Sequence, residues 1–180
     1  MSTPLPVTPP AQTVQPALVD RLATASDRPA IARLLATAGN FDAEEQAVGL
    51  ELVDNYLVHG QDGDYPTLVA EMNGEVVGYV TVGRTPFTVG TWHLYYIASD
   101  ATHRRAGIGR TLCQAARRFA EARGGQRLVL ETSSRELYGG TRAFYDAVGL
   151  VEESRIADYY SPGDAVVYYV WRWSGPIATL

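Results

Sequence analysis

Hydrophobic and polar positions follow two different periods along the chain. Alternating or β-branched apolar runs predict strands, and apolar residues every three to four positions predict helices. Strands are predicted at 17–23, 66–72, 76–84, 91–98, 127–132, 150–158 and 165–173, and helices at 27–37, 42–59, 107–123 and 141–148. The order β-α-α-β-β-β-α-β-α-β-β predicts one mixed α/β domain over 17–174.

Polar and glycine residues mark where these elements begin and end. Asn73-Gly74 between two β-rich runs predicts a hairpin turn. Ser26-Asp27 and Asp42 precede helical runs and predict helix caps. Residues 1–16 hold five prolines and no charge, which predicts a disordered leader, and 175–180 are expected to form a tail.

Two helices show an apolar stripe. In the helix at 107–123, Ile108, Leu112, Ala115, Ala116 and Phe119 share one face, and the arginines mostly take the other. In the helix at 42–59, the expected buried stripe consists of Val48, Leu52 and Tyr56.

Composition limits the class of protein. The 180 residues are 46% hydrophobic and 19% charged, which is typical of a globular chain. The first residues lack a basic and apolar signal, so a cytoplasmic protein is expected. A single cysteine, Cys113, excludes an internal disulfide and a cysteine-based zinc site, and we expect no metal. Because Cys113 follows Leu112 on the predicted helix, it is expected to be a core residue.

Positive charge is concentrated in one segment. All 15 basic residues are arginine, and residues 101–127 hold seven of them against one acid, a balance of +6. Residues 1–100 have a balance of −8 and residues 128–180 of −3. This distribution favours a small polyanion bound at one place over nucleic acid bound across the surface. The absence of lysine excludes a Walker loop and a Schiff-base enzyme.

A glycine-containing turn lies within the basic segment. Arg104-Arg105-Ala106-Gly107-Ile108-Gly109-Arg110 follows the strand at 91–98 and leads into a helix. Glycines permit tight turns and close backbone approach, and helix N-termini favour anions. The turn therefore predicts a phosphate or pyrophosphate cradle. The three-glycine dinucleotide fingerprint fits poorly, because only Gly107 and Gly109 are present.

Two motifs resemble those of a known family. Arg104-x-x-Gly107-x-Gly109, after a strand ending in Ile97-Ala98, resembles the acyl-CoA signature of the GNAT N-acetyltransferase superfamily. TRAFYDAVGL at 141–150 resembles a later segment of that family, and the likeness extends over about 17–173. It implies a mostly antiparallel twisted sheet of about seven strands, splayed at the fourth and fifth, flanked by about four helices. It also implies acetyl-CoA as the donor.

The resemblance assigns roles to the donor-site residues. The CoA pyrophosphate would lie on the turn, and the pantetheine arm on the end of the fourth strand. Tyr145 matches the tyrosine that protonates the CoA sulfur. The implied CoA-binding residues are Ile97, Ala98, Arg104, Arg105, Ala106, Gly107, Ile108, Gly109, Arg110 and Tyr145.

The general base is not assigned by the resemblance. The family often places a carboxylate on the fourth strand, where this chain has His93, Tyr95 and Tyr96. Glu131, at the end of the fifth strand, and His93, whose ordinary pKa suits a base, remain two alternatives. We expect Glu45, Tyr95, Glu131 and Tyr160 to line the acceptor site.

The acidic balance outside the basic segment favours a cationic acceptor. The expected activity is acetyl transfer to a small amine, such as an amino acid derivative, a polyamine or an aminosugar. A peptide or protein amine is the first alternative, and a non-catalytic acyl-CoA-binding module is the second. The long aromatic run at 166–173, if it forms a sheet edge, predicts a homodimer.

Overall fold

The computed structural model describes residues 18–103 and 105–173. The leader at 1–16, Arg104 and the tail at 175–180 lie outside the described residues. The strands are β1 (Leu18–Leu22), β2 (Thr67–Met72), β3 (Glu75–Arg84), β4 (Thr91–Ser99), β5 (Arg127–Ser133), β6 (Val151–Ser161) and β7 (Asp164–Arg172). The helices are α1 (Arg28–Thr37), α2 (Ala43–His59), α3 (Ile108–Glu121) and α4 (Gly139–Val148).

The strands form one sheet in the order β1-β2-β3-β4-β5-β7-β6. Neighbouring strands are antiparallel except for β4 and β5, which are parallel. α1 and α2 bury Ile31, Leu35 and Val53 against one face. α3 and α4 bury residues such as Leu112 and Tyr145 against the other. The predicted fold class is therefore confirmed.

β4 and β5 separate after a short contact. Three residue pairs join them, and the last is His93 with Val129. On its other side β4 contains one extra residue, because Val82 pairs with Leu94 whereas Thr81 pairs with Tyr96. Such a bulge bends a strand and changes its twist. Beyond His93 a cleft therefore opens between β4 and β5.

Several local expectations are confirmed. Asn73 and Gly74 have φ values of 53° and 82°, as a two-residue hairpin turn requires. The Asp42 side chain accepts a hydrogen bond of 2.9 Å from the Glu45 N–H and caps α2. Cys113 is fully buried, and burial raises the pKa of its thiol to about 12, so it is a core residue.

The predicted stripe of α2 is confirmed at Tyr56 and wrong at Val48 and Leu52. Gly49, Val53 and Tyr56 are buried, whereas Val48 is 42% exposed and Leu52 is only half-buried. A Cβ atom on Gly49 would lie 3.1 Å from the Tyr96 ring. The helix packs closely on the sheet at Gly49, where no side chain intervenes. A search for large apolar residues does not find such a contact.

The homodimer was predicted on the condition that the run at 166–173 forms a sheet edge, and this condition is not met. β7 lies inside the sheet, between β5 and β6. β6 forms the edge next to β7, and all eleven of its residues are exposed. The homodimer stays a prediction, and the strands with a free edge among the described residues are β1 and β6. Within residues 18–103 and 105–173, no helix combines the length and apolarity needed to cross a membrane.

Candidate active site

Two cavities meet at the end of β4. The glycine-turn pocket, about 630 Å³, lies between the end of β4, the turn at 105–110 and α4. The aromatic pocket, about 550 Å³, lies in the cleft between β4 and β5 and extends to the β6–β7 hairpin. Asn40 and Ile97 line both cavities, so the two are neighbours along β4.

The backbone of the turn presents hydrogen-bond donors to the glycine-turn pocket. Arg105 and Gly107 have φ values of 67° and 79°, and Gly107 caps α3. Thr111 donates a 2.9 Å hydrogen bond to the Gly107 carbonyl. The N–H groups of Gly109 and Arg110 have no backbone acceptor among the described residues of the turn. Such groups at a helix N-terminus bind anions.

Seven of the predicted CoA-binding residues line this pocket: Ile97 and Ala98 at the end of β4, and Arg105, Gly107, Ile108, Gly109 and Arg110 in the turn. Ile108 buries its side chain in the core, which leaves its backbone for a ligand. Ala106 lies in the same turn but does not line the pocket, and its N–H donates a 3.2 Å hydrogen bond to the His103 carbonyl. Tyr145 lies on the aromatic side of the junction.

Gly109 has a packing role as well. A Cβ atom there would lie 2.8 Å from Cζ of Phe144. α3 and α4 therefore approach each other closely at this point, and Phe144 forms a wall of the glycine-turn pocket.

Most arginines of the basic segment have structural partners instead of facing the pocket. Arg117 lies 5.1 Å from the Trp171 ring and 5.4 Å from the Trp173 ring. Arg118 forms a 2.7 Å ion pair with Asp20. Among the described arginines of 101–127, only Arg105 and Arg110 line the pocket, and Arg110 also donates to the Ala147 carbonyl. The charge count alone therefore overstates the cationic character of the site.

Tyr145 lies where the aromatic pocket approaches the glycine-turn pocket. Its side chain is 4% exposed, and its ring packs 5.5 Å from both Phe144 and Tyr169. Burial raises the pKa of Tyr145 above its usual range. The hydroxyl is therefore protonated at neutral pH and available as a donor.

The two alternative bases lie in the same pocket. His93 and Glu131 both line it, on the parallel strands β4 and β5. Burial lowers the pKa of His93, and the charge of Glu131 opposes that shift. His93 is therefore neutral at pH 7 and can accept a proton. Its ring lies 4.7 Å from that of Tyr95.

The predicted acceptor residues also line the aromatic pocket. Glu45 is partly engaged, because its carboxylate accepts a 2.8 Å hydrogen bond from the Asp42 N–H. Tyr160 enters from β6, where residues 157–160 bulge between the pairs Ile156–Val166 and Ser161–Asp164. Tyr95 lies at the outer end, where its ring meets that of Tyr65 at 5.3 Å.

The lining residues that were not predicted from the sequence include four with polar side chains: Ser133, Arg135, Tyr138 and Asp164. Asp164 is 4% exposed and accepts a 2.6 Å hydrogen bond from Ser133 Oγ. Tyr138 donates to the Asn40 carbonyl at 2.7 Å and so joins the α4 end of the cleft to the α1–α2 connection. The Ser-Pro-Gly-Asp run predicts only a turn, and the strand pairing that places Asp164 here is not local.

Comparison with known families identifies this arrangement. Residues 30–149 match the model of the acetyltransferase (GNAT) family. The chain belongs to the GNAT acetyltransferase family. A GNAT-family protein from Desulfovibrio desulfuricans has a solved structure that is 32% identical over 87% of this chain and 99% of its own, with a TM-score of 0.82.

More distant structures share the acetyltransferase fold. The ribosomal-protein-S18-alanine N-acetyltransferase of Escherichia coli is 20% identical over 91% of this chain and 99% of its own, with a TM-score of 0.69. An aminoglycoside 6′-N-acetyltransferase in complex with coenzyme A is 13% identical over 88% of this chain and 99% of its own, also with a TM-score of 0.69. No curated protein sequence matches the chain.

Membership of this family shows that the protein is an acetyltransferase that uses acetyl-CoA as its donor. The alternative hypothesis of a non-catalytic acyl-CoA-binding module is therefore dropped. The glycine-turn pocket fits that donor. Its free N–H groups and two arginines suit a pyrophosphate, and the open edge of β4 suits an amide-containing arm.

Proposed function

We propose that the protein acetylates a primary amine of a small molecule, and that this amine is a positively charged ammonium when free. The observation that supports this function is the junction of the two pockets at Ile97. An acceptor in the aromatic pocket would lie next to a thioester whose CoA occupies the glycine-turn pocket. Proximity of this kind turns a bimolecular reaction into an effectively unimolecular one.

Charge and surface in the aromatic pocket support a cationic amine. Glu45, Glu131 and Asp164 line it with one arginine, and the pKa of His93 is lowered so that it adds no charge at pH 7. Aromatic rings from several tyrosines surround these groups, and ring faces attract ammonium ions. The pocket therefore favours a positively charged group with an apolar body.

The size and closure of the pocket support a small acceptor. A volume of about 550 Å³ falls within the range of small-molecule sites. The hydrogen bond between Tyr138 and Asn40 crosses one side, and Tyr160 of the β6 bulge covers another. A folded protein surface would have to displace these contacts.

Acetyl-CoA supplies an activated thioester carbonyl, and the chain supplies proton acceptors and donors. His93 takes a proton from the bound ammonium, and Glu131 stabilises the resulting imidazolium. The neutral nitrogen forms a bond to the carbonyl carbon, and the carbon–sulfur bond breaks. Tyr145 donates a hydrogen bond to the leaving sulfur, which ends as the thiol with the second amine proton.

The developing oxyanion requires a separate donor. β4 has no strand partner on its β5 side beyond His93, among the described residues. The backbone N–H on that edge near Ile97 is therefore available to it. Fixed donors of this kind account for a large part of the rate in acyl transfer.

The test is release of CoA thiol with a panel of amines, with products identified by mass spectrometry. The panel contains amino acids, polyamines, aminosugars and an alanine-terminated peptide. The peptide is included because the Escherichia coli neighbour acts on ribosomal protein S18 alanine. Turnover of a small amine above that of the peptide supports the proposal. Preference for the peptide, or no turnover of any amine, refutes it.

A further inference from the structure

One arginine lies among the carboxylates and tyrosines of the aromatic pocket. Arg135 is the only arginine among the described residues that line it, and its side chain is 58% exposed. Its closest charged partner is Asp164, with Nε and Oδ2 3.4 Å apart and no hydrogen bond between the two groups. The two Nη atoms make no hydrogen bond to another described residue.

The backbone that carries this guanidinium is held in place. The Arg135 N–H donates to Ser133 Oγ at 3.0 Å, and its carbonyl accepts from Arg142 Nη1 at 2.9 Å. The same carbonyl accepts from the Tyr138 N–H at 3.0 Å. The side chain therefore extends into the pocket from a fixed point, which lowers the entropy cost of binding a ligand.

The contact with Asp164 does not use the hydrogen-bond donors on the two Nη atoms of Arg135. That carboxylate already accepts a 2.6 Å hydrogen bond from Ser133 Oγ, and its shortest distance to Arg135 is the 3.4 Å to Nε. A guanidinium presents its two Nη donors in a fork that matches a carboxylate bidentately. This fork is the part of Arg135 that remains open to the pocket.

We propose that Arg135 binds a carboxylate of the acceptor, so that the substrate is an amino acid or a close derivative with a free carboxylate. The inference rests on the proposed amine acetylation and narrows its substrate class. Glu131 lies four residues earlier on the same strand–turn segment and lines the same pocket, so that it attracts the ammonium. A polyamine would place a second positive charge beside Arg135, which disfavours that class.

The experiment compares three forms of each acceptor. Each of the twenty L-amino acids is assayed beside its C-terminal amide and its decarboxylated amine, at saturating acetyl-CoA. Calorimetric titration of the best acid and its amide into the protein in the presence of CoA gives affinities that do not depend on turnover. For at least one amino acid we expect kcat/KM about 10- to 100-fold above that of its amide, the range for hydrogen bonds to a charged group.

Two variants assign this preference to Arg135. R135Q removes the charge, and we expect the acid-to-amide ratio of kcat/KM and of affinity to fall by about 10- to 100-fold. R135K keeps the charge without the fork and should recover part of the ratio. Arg155 is a matched control, because it is exposed on neighbouring β6, pairs with Glu152 and does not line the pocket. R155Q should leave the ratio unchanged.

The outcomes separate this inference from the proposed function. If amides or decarboxylated amines are acetylated as well as the acids, the inference is overturned and the amine acetyltransferase stands. An equal effect of R135Q on acid and amide also overturns it, since the residue would then be structural. If no amine is acetylated and no acid binds, both proposals fall.

Discussion

Replacement of Tyr145 by phenylalanine tests the proposed chemistry most directly. The substitution removes one oxygen atom from a ring that is 4% exposed. Contacts of the ring with Phe144 and Tyr169, both at 5.5 Å, stay in place. A loss of activity in this variant therefore reports on the hydroxyl and not on packing.

The expected magnitude follows from the environment of the hydroxyl. Burial raises the pKa of Tyr145 above its ordinary value of 10, and a thiol has a pKa of about 8.5. Full proton transfer to sulfur is therefore unfavourable, and the hydroxyl acts as a hydrogen-bond donor to a group gaining charge. Such a bond contributes about 1.5–3 kcal/mol. We expect Tyr145→Phe to lower kcat by roughly 10- to 150-fold, at 1.36 kcal/mol for each factor of ten.

The assay is steady-state thiol release, with CoA affinity measured separately by calorimetry. Because we propose that the CoA pyrophosphate binds to the turn at 105–110, away from the Tyr145 hydroxyl, CoA affinity should change by less than about threefold. Tyr169→Phe is the matched control, since Tyr169 is 1% exposed, packs on the same ring and lines neither pocket. A kcat for Tyr145→Phe within about twofold of the unmodified protein, or an equal loss in the control, would refute the reasoning.

Three further variants test the base, the fold and the donor site. Because burial lowers the pKa of His93, kcat should fall as the pH drops through a value below 6.5, and the pH–rate profile of His93→Gln should lack this step. Hydrogen bonds from Arg21 lower the pKa of the Asp27 carboxyl from 3.8 to about 2, so the carboxylate stabilises the fold above pH 3.8. Asp27→Asn should cost about 2 kcal/mol of unfolding free energy at pH 7 by urea denaturation, and this difference should narrow as the pH falls from about 4 to 2. Gly109→Ala places a methyl group 2.8 Å from Phe144 and should lower CoA affinity by calorimetry. Gly139→Ala is the control and should leave that affinity unchanged, because Gly139 lines neither pocket and the nearest atom to its added methyl, Arg142 Nη2, is 3.9 Å away.

Features encoded in short stretches of sequence were predictable. Asn73-Gly74 and Asp42 act on residues within three positions of themselves, so their roles follow from local chemistry alone. The spacing of Gly107 and Gly109 is likewise local, because one begins α3 and the other lies in its first turn. These short-range signals were sufficient to predict the elements and the glycine-turn pocket.

Features that depend on pairing between distant segments were not predictable. Ser133 and Asp164 are 31 residues apart, and only the β5–β7 register brings them together. The same is true of Arg118, whose partner Asp20 is 98 positions away. The arginines of α3 therefore resemble an anion site in the sequence, although most of them bind protein groups. Composition gives the number of charges but not their partners.

The cleft itself depends on one residue of β4. Before the bulge, Trp92 and Leu94 point toward α3, and after it Tyr96 and Ala98 point toward α1 and α2. The extra residue therefore puts Tyr95 and Tyr96 on the same face, where both line the aromatic pocket. It also coincides with the end of β4–β5 pairing at His93, which frees the strand edge near Ile97. Every residue from Leu94 to Ile97 is a good strand former or is tolerated in a strand, so strand propensity does not reveal the bulge. The bulge nevertheless lies where β4 and β5 separate and where the two pockets meet.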